Sequence, residues 1–231
     1  MSDRRLFLKA APLGLAATLP TFTLARADDK KSEKKKDEED VGVAEDLMRE
    51  HGVLNRVLLV YEEGLRRLRK KEDITPEVFR SAATLVRKFV EDYHEKLEEN
   101  FIFPAFEKAK KLTDLVKVLK KQHDAGRKLT GVILRESADE RFKKDEGRKE
   151  LVAACEAFIR MYRPHEARED TVLFPALRSV LSAKEIKDLG EQFEKEEDKL
   201  FGEGGFEKVV EQVAGFEKQL GIYDLDQFTG K

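Results

Sequence analysis

His94-Glu95-Lys96-Leu97-Glu98-Glu99-Asn100-Phe101-Ile102-Phe103-Pro104-Ala105-Phe106 aligns without gaps to His165-Glu166-Ala167-Arg168-Glu169-Asp170-Thr171-Val172-Leu173-Phe174-Pro175-Ala176-Leu177, at an offset of 71 residues. In each copy a histidine and a glutamate stand four apart. On a helix that spacing puts both side chains on one face, their roots about 5 to 6 Å from each other, within reach of a single site. The two remaining histidines, His51 and His123, keep nearly the same spacing, 72 residues. Each half therefore reads as a helix bearing His followed by a helix bearing His-Glu-x-x-Glu. Two such hairpins related by an approximate twofold make an antiparallel four-helix bundle.

The apolar pattern around the repeat agrees. Leu47, His51, Leu54, Leu58, Tyr61, Leu65 and Leu68 alternate steps of four and three, as one core-facing stripe requires. A second stripe, opened by Thr75 as cap and Pro76 at the first helical position, carries Phe79, Ala83, Val86, Val90, His94, Leu97 and Phe101. The third carries Leu112, Val116, Leu119, His123, Gly126, Thr130 and Ile133; the fourth carries Leu151, Phe158, Tyr162, His165, Glu169 and Val172. Every helix thus contributes one inward histidine, and the fold class is all-α. The polar link 137–147 reads as a loop. Ser182-Ala183-Lys184-Glu185 has the form of a capping box opening a short fifth helix, broken by Gly202, Gly204 and Gly205. Residues 206–220 form a further amphipathic helix outside the bundle.

Ahead of the bundle, residues 1–27 have the layout of an export signal: Arg4 and Arg5, an apolar run interrupted by Pro12 and Pro20, and Ala25-Arg26-Ala27 as a cleavage pattern. The run Asp3-Arg4-Arg5-Leu6-Phe7-Leu8-Lys9 resembles a bacterial twin-arginine signal. It implies passage through the twin-arginine export machinery and a periplasmic or otherwise exported protein. The apolar run is shorter than the roughly 20 continuous residues of a spanning helix, so no stable membrane span is expected after cleavage. Residues 28–42 are a charged linker, 43–181 the bundle and 182–231 a C-terminal helical extension.

Composition narrows the chemistry. Forty-five Lys and Arg against 47 Asp and Glu leave a net charge of -2, which offers no attraction to a nucleic-acid backbone and excludes nucleic acid as the expected partner. A single cysteine, Cys155, excludes an intrachain disulfide and sites built from several thiolates; its spacing makes it a small buried hydrophobe. The metal question falls to the histidines. Imidazoles and carboxylates without thiolates suit iron, manganese or zinc, and carboxylates shared between two cations suit a dinuclear centre.

These residues resemble the hemerythrin-like domains, also called the HHE cation-binding family, over about 43–181. The resemblance rests on His51, the His94/Glu98 pair, His123, the His165/Glu169 pair and the Phe-Pro step after each pair. It implies a left-handed four-helix bundle with two iron ions in a non-haem di-iron centre, histidines terminating the metals and Glu98 and Glu169 bridging them; manganese and zinc rank behind iron. One departure is visible. Oxygen-carrying hemerythrins have a second histidine four residues after the one on the third helix, where this chain has Arg127. The implied function is binding or sensing of dioxygen, nitric oxide or peroxide. The alternatives are a di-iron oxidoreductase using peroxide or nitric oxide with an unidentified electron donor, iron storage or delivery, and a structural bundle holding zinc or no metal. A ferritin-like carboxylate site ranks lower, because Glu-x-x-His spacing occurs once, at Glu91 and His94.

Neighbouring residues receive plainer readings. Glu95 and Glu166 follow ligand histidines, and adjacent helical positions point about 100° apart, which directs them to solvent. Arg127 reads as a surface residue. Tyr93 and Tyr162 fill core with their hydroxyls satisfied elsewhere, and Phe101, Phe103, Phe106 and Phe174 read as bundle core. Pro104 and Pro175 mark matching kinks or ends.

Overall fold

The computed structural model describes residues 42–230; residues 1–27, read above as an export signal, and residues 28–41 of the expected linker lie outside them. Helix α1 (Val43–Lys70) opens with Glu45 and Asp46 and closes with Arg67, Arg69 and Lys70, charges that match its dipole at both ends. Lys71 in the left-handed region ends it, returning its N–H to the carbonyls of Arg67 and Leu68. Helix α2 occupies 76–109. It begins at Pro76, although the Thr75 side chain makes no capping bond. Helix α3 is Thr113–Glu136. After a one-turn helix, Asp139–Phe142, inside the stretch read as a loop, helix α4 occupies 145–179. These four helices run up and down around one core, an antiparallel four-helix bundle with C-terminal helices added outside it.

The two glutamate-bearing helices are not regular. In α2 the stretches Val86–His94 and Glu98–Ile102 are π-helical, and in α4 the stretch Glu169–Leu173 is π-helical before a 3-10 ending at Phe174–Ser179. Proline explains the matched pair. Pro104 and Pro175 have no N–H to give the carbonyls of Asn100 and Thr171, four residues earlier. The preceding turn widens: Phe103 donates to the Glu98 carbonyl and Phe174 to the Glu169 carbonyl, five residues back. A widened turn also advances the phase by one residue. Regular periodicity points Phe101 and Val172 inward; instead both are half-buried and Ile102 and Leu173 are enclosed. Leu112, likewise expected inside, is exposed because it sits at positive φ just before α3.

The fifth helix, expected to be short, is a full-length one. Ser182 and Glu185 form the reciprocal capping box, and helix α5 (Ala183–Phe201) runs 19 residues before Gly202 and Gly204, both at positive φ, turn the chain. Helix α6 (Gly205–Gln219) returns along α1. It is fastened by a two-pronged Arg56–Glu217 pair at 2.9 and 2.5 Å and by Arg67 donating to the Leu220 carbonyl. Phe201 packs edge-on against Tyr93, and Phe193 covers Phe101, which therefore lies under the extension rather than in the bundle core. Cys155 is free and buried, and burial pushes its thiol up, as a packing residue rather than a reactive one requires. Among the described residues no helix is long and apolar enough to cross a membrane.

Candidate metal centre

Each helix of the bundle turns one histidine toward the middle, and all four are at most 3% exposed. His51 and His94 bring their Nε2 atoms within 3.1 Å of each other. His51, His94 and Glu98 form one triad with ligand atoms inside 4.8 Å; His123, His165 and Glu169 form a second. The carboxylates tie the triads together. Oε2 of Glu98 lies 3.6 Å from His94 and 3.4 Å from His123. Oε2 of Glu169 lies 3.0 Å from His165 and 3.4 Å from His51. Each glutamate thus faces one histidine from each half.

The outward nitrogens are all engaged. His51 Nδ1 donates to Asp170 at 2.7 Å and His94 Nδ1 to Glu50 at 2.5 Å. His123 Nδ1 donates to Glu99 at 3.1 Å and His165 Nδ1 to Gln122 at 3.0 Å. With Nδ1 carrying the proton, every Nε2 presents its lone pair inward, the arrangement that orients histidine toward a metal. None of these four acceptors stood out in the sequence. The repeat contains their signal: Glu99 and Asp170 each follow the paired glutamate, and Glu50 and Gln122 each precede the hairpin's first histidine.

The residues present fit a pair of cations. Both oxygens of Glu98, both of Glu169 and Nε2 of His123 are buried with no hydrogen-bond partner among the described residues. Burying an unpaired carboxylate costs several kcal/mol, so this donor set is stable when cations or protonated histidines neutralise it. Burial raises the Glu169 pKa but is outweighed by His165 and His51, which hold it well below the usual carboxylate range. Burial likewise opposes charge on His123, yet the neighbouring carboxylates of Glu98, Glu99 and Glu95 hold it up at about 10. The set holds nitrogen and carboxylate oxygen without sulfur, the donor chemistry of iron, manganese and zinc sites.

Two neighbouring carboxylates overturn the solvent-facing reading. Glu95 is 1% and Glu166 2% exposed. A helix in this bundle is flanked by two neighbours, so positions 100° from the central face lie in the seams between helices. Glu95 Oε1 accepts from the Tyr162 hydroxyl at 2.7 Å, and Oε2 meets Arg127 at 2.8 Å. Glu166 Oε2 accepts from Asn55 at 2.5 Å, and burial, partly offset by His51 and His94, pushes its carboxyl up to about 8. Arg127 is accordingly no free surface residue: 21% exposed, it also pairs with Glu99 at 2.6 Å. Tyr162 packs its ring against His165 at 5.5 Å. Tyr93 stands apart, against Phe89 and Phe201. Two phenyls of the Phe-Pro steps lie over histidines, Phe174 on His51 and Phe103 on His123, each at 5.4 Å between ring centres. They form apolar walls on opposite sides of the centre.

Comparison with known proteins follows the same lines. Residues 43–140 match the Hemerythrin HHE cation binding domain family. An uncharacterized protein of Mycobacterium bovis and its counterparts in two strains of Mycobacterium tuberculosis are each 51% identical over 189 residues, covering 82% of this chain and 74% of theirs. No solved structure is significantly similar to the chain. With its paired histidine and glutamate triads at the centre of a four-helix bundle, the chain carries a hemerythrin HHE cation-binding domain, matched over residues 43–140.

Proposed function

We propose that the protein holds two iron ions, one by His51 and His94 and one by His123 and His165, with Glu98 and Glu169 spanning both, and that it binds or senses dioxygen, nitric oxide or peroxide there. The observation that carries this reading is the position of the two carboxylates, each facing one histidine of either triad while its oxygens have no hydrogen-bond partner among the described residues. Bound iron supplies open coordination positions and one-electron chemistry for such small ligands. Around it the chain does three things. Asp170, Glu50, Glu99 and Gln122 fix the imidazoles. Phe103 and Phe174 wall the histidines against water. Arg127 and Tyr162 hold Glu95 in place beside the centre. With Arg127 at the place of a fifth histidine, four imidazoles leave more of the coordination sphere to an incoming ligand. The export signal read in residues 1–27 supports a periplasmic site of action, reached through the twin-arginine machinery.

The test is metal content per chain with the absorption spectrum before and after air, azide and peroxide, on protein from iron-supplemented cells. About two irons per chain, with bands that respond to azide or peroxide, is the expected result. Zinc alone, or no metal after anaerobic iron reconstitution, sinks the reading and leaves the structural bundle. Sustained peroxide consumption with an added reductant moves the assignment to an oxidoreductase.

A further inference from the structure

Outside the central six residues, three carboxylates crowd together where α1 meets α5. Asp46, Glu50 and Glu197 each bring an oxygen within 4.8 Å of the others. Glu50 is enclosed, while Asp46 and Glu197 are half-buried, so the cluster opens to solvent only at its outer edge. The internal repeat shows that this charge is not needed to orient a histidine. At the position matching Glu50 stands Gln122, a neutral amide that accepts from His165 as Glu50 accepts from His94. At the position matching Asp46 stands Val118. Negative charge is concentrated on the half that the extension covers, and the extension adds Glu197 to it.

Compensation from the protein is thin. Arg49 approaches Asp46 at 3.6 Å but lies over the Phe206 ring, and Glu197 has no ion pair among the described residues, only the Phe206 N–H at 2.6 Å. Burial, then the charges of Glu50 and Glu197, push the Asp46 carboxyl up to about 6. Independently, the Tyr93 hydroxyl is buried without a hydrogen-bond partner among the described residues. Tyr93 precedes His94, whose Nδ1 donates to Glu50, and its ring packs edge-on against Phe201, one turn beyond Glu197 on α5, which sets it beside the cluster.

We propose that Asp46, Glu50 and Glu197 form a third cation site, for a hard divalent cation of the calcium or magnesium class, with the Tyr93 hydroxyl beside it. An all-oxygen set suits such ions, and the absence of imidazole or thiolate from it disfavours zinc and copper. A cation there clasps α5 to α1 and, through Glu50, adjoins His94. The site is separate from the proposed iron centre and stands whether or not that centre holds iron.

Terbium(III) serves as the probe, being close to calcium in size and emitting when excited through a neighbouring tyrosine. The full chain carries Tyr223→Phe, which removes the exposed tyrosine beside Asp224 and Asp226, and its histidine centre is first loaded with zinc. Saturable tyrosine-sensitised emission that calcium displaces is expected. Asp46→Asn/Glu197→Gln should weaken terbium binding about tenfold or more with helical content unchanged, and Tyr93→Phe should remove the emission while calcium still binds by calorimetry. If the double variant does not fold, Glu197→Gln alone gives the same comparison. Absence of saturable binding in the parent, affinity unchanged in the carboxylate variants, or emission persisting in Tyr93→Phe overturns the assignment.

Discussion

Gly126 is the position where a single methyl group tests the wiring of the centre. A Cβ there meets the Tyr162 hydroxyl at 2.0 Å and its ring carbon Cζ at 2.8 Å, so Tyr162 must move, and with it the 2.7 Å bond to Glu95. Overpacking of this kind costs about 1 to 3 kcal/mol. Loss of a hydrogen bond to a buried carboxylate adds about 1.5 to 3 kcal/mol, and alanine returns about 1 kcal/mol of helix propensity. The expected net loss for Gly126→Ala is about 1.5 to 5 kcal/mol. Gly215, also within a helix, has nothing within 4 Å of its added methyl, so Gly215→Ala should stabilise by about 0.4 to 1 kcal/mol. Urea denaturation of the metal-free protein, followed by circular dichroism, reads both as midpoint shifts at constant slope. Adding Tyr162→Phe to Gly126→Ala relieves the closest contact, and the pair should couple favourably by about 1 kcal/mol or more. A Gly126→Ala protein as stable as its parent would refute the claim that this glycine exists to admit the tyrosine hydroxyl.

Glu98→Gln/Glu169→Gln should lower bound metal well below the parent's on elemental analysis; unchanged content would mean the carboxylates are not ligands. In the metal-free protein the protonated His123 contributes to folding because its pKa of about 10 exceeds the unfolded value of 6.5. That contribution is complete below pH 6.5 and drains away as pH rises through 10, so urea midpoints should fall between pH 7 and 10 without metal, and less steeply once metal has displaced the proton. Arg127→Met strips Glu95 of its cation and should destabilise by about 1 to 3 kcal/mol, a cost that adding Glu95→Gln partly removes in the same denaturation assay. Arg56→Ala should speed hydrogen exchange in α5 and α6 while leaving α3 unchanged, since the Arg56–Glu217 pair fastens only the extension.

Much of the architecture was legible because the bundle needs a stripe every three or four residues, and Leu47 through Leu65 or Val116 through Ile133 supply it with few interruptions. The six central residues were legible because the repeat places them twice. Three kinds of feature were not. Phe101 and Val172 missed the core because a proline three residues on rewrites the turn before it, a backbone effect that side-chain periodicity ignores. Glu95, Glu166 and Arg127 were sent to solvent by an argument about one helix, whereas their burial is decided by the second neighbour in each seam. Glu50, Glu99, Gln122 and Asp170 carry no metal-ligand spacing of their own, and only superposing the halves picks them out.

The two halves meet as two copies of one hairpin would in a closed pair, each triad drawn from a single hairpin and each spanning glutamate lent to the other. In a true symmetric pair every substitution would appear on both sides at once. Joined in one chain, the hairpins are free to differ, and they do so around the centre: Gln122 stands opposite Glu50, Arg127 opposite Asn55, Tyr162 opposite Glu91 and Gly126 opposite Leu54. A molecule arriving at this centre meets a handed environment, with an arginine and a phenol on one flank and an amide on the other.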